Sequence, residues 1–145
     1  MSQAWDRDPY QPQSWPHLFT LHEANSLLPD VMPILLELRS HKVTLDSAVV
    51  ALSALTPAMR QNGHAAQARE LEARIQEMTE ELAAGIDQVT AMGIDIKNLD
   101  HGLIDFPSLH EGRVVFLCWR LGEGPTIRFW HDIDAGFAGR RLLPD

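Results

Sequence analysis

The sequence contains a single cysteine among its 145 residues, so no disulfide can form within the chain. Disulfides are rare in proteins of reducing compartments, and the N-terminal stretch lacks the apolar core of a secretory signal. No uninterrupted apolar run approaches the roughly 20 residues that a membrane-spanning helix requires. We therefore expect a cytoplasmic protein without disulfides and without a membrane span.

Positive charge is also scarce, because 12 Lys and Arg residues stand against 20 Asp and Glu residues and leave a net charge of −8. Such a chain repels polyanions, so we do not expect binding to nucleic acid except through a local basic patch. The hydrophobic fraction of 45% and the charged fraction of 22% are typical of a globular protein. The length suits one domain with its own core.

Residues 1–18 have no apolar periodicity and several prolines, which predicts an extended N-terminal arm. The arm contains three large aromatic residues, Trp5, Tyr10 and Trp15. Aromatic surface left in water is costly. We therefore expect the arm to dock on its own domain or on a sister subunit, with docking on another protein as the alternative.

A first helical segment begins after Thr20, which forms a capping box with Glu23. We expect the helix to break at Pro29, because proline lacks an amide donor and clashes with the preceding turn. Asp30 can then cap a second helical segment, and Pro33 is tolerated in its first turn.

A return helix follows over residues 65–92, where apolar side chains recur in steps of three and four. Gly93 stands where a C-cap glycine belongs, and residues 61–64 have turn composition. Two long helices joined by a short turn pack antiparallel. The sequence therefore predicts a helical hairpin, with coiled-coil spacing, over about residues 20–92.

After Gly93 the apolar period changes to two, which is the spacing of half-buried strands. The strands are predicted at residues 94–97, 102–106, 113–120 and 126–132, with Pro107 ending the second. They indicate an antiparallel β-meander over about residues 94–132, followed by a C-terminal tail. Residues 19–145 are then a single α+β domain in which the hairpin packs on the sheet. Because both sheet faces are apolar, the N-terminal arm or a second subunit can cover the face that the hairpin leaves free, and we expect a homodimer.

Familiar catalytic motifs are absent. His22-Glu23 and His110-Glu111 resemble the start of a zinc-protease helix, but Ser26 and Val114 stand where the second histidine belongs. The sequence has no cysteine pair for a zinc ribbon, no phosphate-binding loop and no nucleophile elbow. The known hydrolase, kinase and zinc-finger signatures are thereby excluded.

Titratable side chains nevertheless crowd the strand region. Imidazole and carboxylate groups together suit a divalent transition metal, and a carboxylate beside a histidine equally makes a general base. The candidate metal ligands are His131, Asp105, Asp132 and His101. The same carboxylates are equally suited to capping turns, with His131 hydrogen-bonded within its strand end. The sequence leaves both interpretations open.

Arginines are concentrated in the same region, at positions 113, 120, 128, 140 and 141. A guanidinium is a fixed fork for carboxylate or phosphate, so a pocket for a small anion is one interpretation. Stacking of Arg128 on Trp119, or surface ion pairs, is the other. We expect Cys118 to be a small core residue rather than a nucleophile, and Trp119 and Trp130 to lie in the core or at an interface.

Two groups of motifs resemble a bacterial family catalogued as domain of unknown function 2203. The first group is Phe19-Thr20-Leu21-His22-Glu23-Ala24-Asn25 and Leu27-Leu28-Pro29. The second is Gly93-Ile94, Lys97, Gly102-Leu103, Asp105-Phe106-Pro107, Gly112-Arg113, Leu117-Cys118-Trp119, Gly122-Glu123, Trp130-His131 and Gly136-Phe137-Ala138-Gly139-Arg140. The resemblance covers residues 19–140 and brings no established activity.

The resemblance implies that the family is defined by a polar and aromatic set. Its members here are Asp105, Trp119, Glu123, Trp130, His131 and Arg140, which we take as the candidate ligand-binding residues. The chain departs from the family pattern in one turn, where Gly124 separates Glu123 from Pro125.

Two functional hypotheses follow. In the first, the meander has a small-ligand or divalent-metal site in which Arg140 holds an anion. In the second, the protein has no catalytic activity and is a dimeric structural protein or an interaction module that binds a protein partner through the hairpin or the arm.

Overall fold

The computed structural model describes residues 8–144, and the main elements of this range are two long helices and a five-stranded sheet. The helices are α1 (Leu21–Ser53), α2 (Pro57–Gln61) and α3 (Ala65–Ala91). The strands are β1 (Asp95–Asn98), β2 (Leu103–His110), β3 (Arg113–Arg120), β4 (Phe129–Asp132) and β5 (Arg141–Leu142). The α+β class with a long helical hairpin is confirmed, while Trp5 of the arm lies outside the described residues.

Helix α1 is continuous, so the expected break at Pro29 is wrong. The capping box is present, since Thr20 Oγ1 accepts from the Glu23 amide and the Glu23 carboxylate accepts from the Thr20 amide. Pro29 and Pro33 both lie on the exposed side of the helix, where water can satisfy the carbonyls that lose their amide partners. Buried apolar side chains on the other side, among them Leu28 and Val31, anchor the helix across both prolines.

The two long helices pack closely along their length. Leu38 of α1 lies directly against Gly85 of α3, where a Cβ atom would stand 2.5 Å from the leucine Cδ2. At the C-terminal end of α3, Gly93 has a φ of +89°, a conformation that glycine adopts without strain. Within the described residues, no helix is long and apolar enough to cross a membrane.

The sheet is an antiparallel meander with strand order β1-β2-β3-β4-β5. Strand β2 continues through Pro107 to His110, so the expected end at Pro107 is wrong. The reason is the edge of the strand: β1 pairs with β2 only as far as Asp105, and beyond it the Phe19 amide donates to the Pro107 carbonyl at 2.7 Å. Proline is tolerated there because its missing N–H faces no ladder partner. The two-residue strand β5 was not expected.

The two sheet faces have different covers. On one face Ile104, Phe106, Leu117 and Trp119 join the hydrophobic core formed with α1 and α3. The opposite face is covered by the arm and by the C-terminal tail. The Trp15 ring meets Phe116 edge-on at 5.6 Å, and the Tyr10 hydroxyl donates to the Asp134 carboxylate. The described part of the arm therefore docks on its own domain.

Candidate functional site

Three buried side chains with possible metal ligands lie together on the sheet face that points away from the helices. Strand pairing places Asp105 opposite Cys118, and Cys118 opposite Phe129, two residues before His131. Because side chains alternate along a strand, Asp105, Cys118 and His131 share this face. Their ligand atoms lie within 4.8 Å of one another, and they form the one such group among the described residues.

His131 is held from both sides of its ring. Its Nε2 lies 3.1 Å from each carboxylate oxygen of Asp105, and its Nδ1 lies 2.7 Å from the Asp132 carbonyl oxygen. A carbonyl oxygen only accepts, so Nδ1 is the donor there. Burial lowers the pKa of His131, but the hydrogen bonds to Asp105 and to the Asp132 carbonyl outweigh it and raise the pKa above its usual value. The ring is thus fixed with Nε2 directed at Asp105.

The Cys118 thiol completes this group and connects it to the tail. Burial, with the Asp105 carboxylate adding to it, raises the pKa of Cys118 to about 12, although Arg140 acts in the opposite direction. The guanidinium Nη1 of Arg140 lies 3.9 Å from the Cys118 Sγ atom. Cys118 is therefore a protonated, buried thiol, as expected for a core residue.

Arg140 and Glu123 form a second, neighbouring pair. Arg140 Nη2 lies 2.8 Å from Glu123 Oε2, and Nη1 lies 2.9 Å from Oε1, so the contact is bidentate. The guanidinium lies between the rings of Phe129 and Phe137, at 4.0 and 4.1 Å from their centroids. Arg140 therefore already contacts one carboxylate and two aromatic rings. Glu123 has a second partner, since the Arg120 amide donates to its carboxylate at 2.7 Å.

The remaining candidates lie elsewhere. Trp119 faces the helices, and its indole N–H donates to the Gly124 carbonyl at 3.0 Å. Trp130 lies on the same side, with Arg141 against its ring. The Asp132 side chain pairs with Arg113 at 3.0 Å, so this residue reaches the group only through its carbonyl. His101 is exposed in the β1–β2 turn and is not in the group.

Sequence reasoning did not include Cys118 among the possible metal ligands. A signal was present, since strand alternation places Cys118 and Phe116 on one side of β3 and His131 and Phe129 on one side of β4. The register of β2 against β3, which brings Asp105 opposite Cys118, was not available from the sequence.

We predict that the native protein, in the presence of a chelator, reacts with a thiol reagent at pH 8 at least about a hundredfold more slowly than the urea-unfolded chain. Cys118 is buried, and its raised pKa leaves very little thiolate at that pH. The ratio of the two rates is measured by following the release of thionitrobenzoate from a disulfide reagent, with and without urea. Equal rates would mean that the strands around Cys118 open freely.

Comparison with known proteins gives one match. The family model described as an uncharacterized conserved protein, DUF2203, matches residues 17–143. This range includes both long helices, all five strands and every residue of the Asp105–Cys118–His131 group. No curated protein and no solved structure matches the chain.

Proposed function

The chain belongs to the DUF2203 family of uncharacterized conserved proteins, and we propose that it is a metal-binding protein. The proposed site holds zinc, or a similar divalent transition metal, between a carboxylate oxygen of Asp105, the Sγ atom of Cys118 and the Nε2 atom of His131.

The spacing of the three ligand atoms is the observation that supports this proposal most. A tetrahedral site with metal–ligand bonds of about 2.0–2.3 Å has ligand atoms about 3.3–3.8 Å apart. The His131 Nε2 atom already lies 3.1 Å from the Asp105 oxygens, and all three ligand atoms are within 4.8 Å of one another. Small side-chain rotations are enough to form the site.

The chemistry of the ligands favours zinc over the harder cations. Thiolate and imidazole suit zinc and its neighbours, whereas magnesium and calcium prefer sets made of oxygen atoms. Metal-binding histidines usually donate their second N–H to a carboxylate or a carbonyl. The Nδ1 contact of His131 with the Asp132 carbonyl meets that requirement. The thiolate and the carboxylate together balance the two charges of the ion.

The position of the ligands indicates a structural role for the ion. Asp105, Cys118 and His131 come from three successive strands, so one ion would tie β2, β3 and β4 together on the face opposite the helices. All three side chains are buried, so the ion would be shielded from bulk solvent, and a tetrahedral ion would complete its shell with a water molecule. Binding replaces the Nε2 proton of His131 and the thiol proton of Cys118, which both leave to solvent.

The test is a zinc titration of chelator-stripped, tag-free protein against a chromophoric competitor. We expect about one zinc per chain, with a Kd below about 1 μM for the wild type and at least a hundredfold weaker binding for Cys118→Ala. That variant removes one ligand without leaving a buried charge, so it should fold. His101→Ala, which removes an exposed histidine outside the group, is the matched control and should bind as the wild type does.

Cobalt(II) gives an independent spectroscopic readout of the same site. A thiolate-to-cobalt charge-transfer band should appear in the wild type and in His101→Ala, and be missing in Cys118→Ala. Absence of the band in the wild type, or zinc uptake that follows His101 rather than Cys118, would overturn the proposal.

A further inference from the structure

We infer that a second site, on the helix-facing side of the sheet, binds an amphipathic carboxylate: a molecule with an apolar body and an anionic head. The site is a groove of about 710 Å³ between the start of α1 and the strands β2, β3 and β4. The residues that the argument uses are Leu21, Val115, Leu117, Trp130 and Leu143.

The apolar body is accounted for by the groove itself. Val115 and Leu117 are buried and form the floor, while Leu21, which is 38% exposed, and the partly buried Leu143 line the walls. The volume lies within the range of about 300–1,000 Å³ that small-molecule sites occupy. Large leucine surfaces around a concave floor are unfavourable in water and mark a binding surface.

The anionic head is indicated by the charge beside the groove. The Arg141 guanidinium lies 5.3 Å from the centroid of the Trp130 ring, which lines the groove. Arg113 and Arg140 each pair with a carboxylate, whereas Arg141 has no carboxylate partner within residues 8–144. The His110 ring lies against Trp130 from another side, at 5.7 Å. In a chain of net charge −8, this guanidinium beside an apolar groove fits a carboxylate head.

The occupant is a small molecule rather than a folded partner. A stable protein interface buries about 800 Å² on each side, whereas this site is one concave groove with its floor closed by two strand residues. The groove is also independent of the proposed metal site. Val115 and Leu117 point to the helix side of β3, and Cys118 points to the opposite side.

The experiment compares three probes that share a twelve-carbon chain: dodecanoate and dodecyltrimethylammonium, each kept below its micellar concentration, and dodecanol, kept below its solubility limit. Binding to the full chain is followed by calorimetry and by tryptophan fluorescence, since Trp130 lines the groove. We expect saturable binding of one dodecanoate per chain and at least about tenfold weaker binding of the other two.

Two variants with a matched control separate the body from the head. Leu21→Glu places a charge on a partly exposed wall residue in the first turn of α1, where a carboxylate suits the helix dipole, and should abolish dodecanoate binding without unfolding the protein. Arg141→Gln should weaken dodecanoate about tenfold and leave dodecanol unchanged. Arg69→Gln, on the exposed side of α3, is the control and should have no effect.

Three results would overturn the inference: no saturable dodecanoate binding, equal binding of the three probes, or full binding by Leu21→Glu. Because Cys118→Ala leaves the groove unchanged, it should bind dodecanoate as the wild type does. Failure of the metal proposal and failure of this one are therefore distinguishable.

Discussion

Replacing Asp105 with leucine should lower the free energy of unfolding of the metal-free protein by about 3–5 kcal/mol. The carboxylate is buried, and both its oxygens lie 3.1 Å from the His131 ring nitrogen. Without it, an imidazolium would be left in an apolar site with no counter-charge, or the ring would lose its proton and one of its two hydrogen bonds. The free energy of unfolding of a whole domain is about 5–15 kcal/mol, so the expected loss is a large part of it.

Urea unfolding in the presence of a chelator measures the change, and two further variants interpret it. The double variant Asp105→Leu/His131→Leu removes both charges and should recover most of the loss, because replacing a buried pair by apolar groups is often nearly neutral. Asp132→Asn removes a partly exposed ion pair with Arg113 and should cost less than about 1 kcal/mol. A double variant less stable than the single one would contradict the argument.

The same pair gives the metal-free protein a pH dependence of defined sign. The pKa of His131 is raised in the folded state by its contacts with Asp105 and the Asp132 carbonyl, against the opposing effect of burial. Its contribution to stability is therefore complete below the usual histidine pKa and is lost as the pH rises through the raised one. In Asp105→Leu this loss with rising pH should disappear.

Sequence rules that depend only on neighbouring residues correctly predicted one end of each long helix. The capping box at Thr20 and Glu23 and the C-cap at Gly93 are confirmed, because each depends on neighbours within a single turn. The rules gave wrong results at Pro29 and Pro107. At Pro29 the side of the helix without an amide donor faces water, and at Pro107 it faces a part of the strand edge that pairs with no other strand. In both places, packing on the other side maintains the element. Which side of an element is buried is a tertiary property.

The same distinction between local chemistry and tertiary packing explains why only part of the candidate site was predicted from the sequence. Asp105 and His101 are close in the chain, yet they separate, because β2 leads Asp105 into the sheet and leaves His101 in the turn. Asp105 and His131 are 26 residues apart and meet through the pairing of three strands. The groove has still less local signal, since Leu21, Leu117 and Trp130 belong to three separate elements. Sequence patterns located the strand region, and register determined which side chains meet.

The second large effect concerns Glu123, and its replacement with leucine should cost about 3 kcal/mol of stability. The Glu123 and Arg140 side chains are only 13% and 11% exposed, and they meet in an ion-pair contact of 2.8 Å and a hydrogen bond of 2.9 Å. Removing the carboxylate leaves a guanidinium enclosed by Phe129 and Phe137, and it also deprives the Arg120 amide of its acceptor.

The loss should also be localised, which distinguishes it from general destabilisation. Arg140 connects the 3₁₀ turn at Phe137–Gly139 with β4, so Glu123→Leu should increase amide exchange in residues 137–143 before it does so in α1 or α3. Glu72→Leu, which removes an exposed pair with Arg60, is the matched control and should cost less than about 1 kcal/mol. If the two variants lose the same small amount, the guanidinium is held by its two aromatic rings and the ion pair adds little. If Glu123→Leu alone releases the tail, the carboxylate fixes residues 137–143 to the sheet.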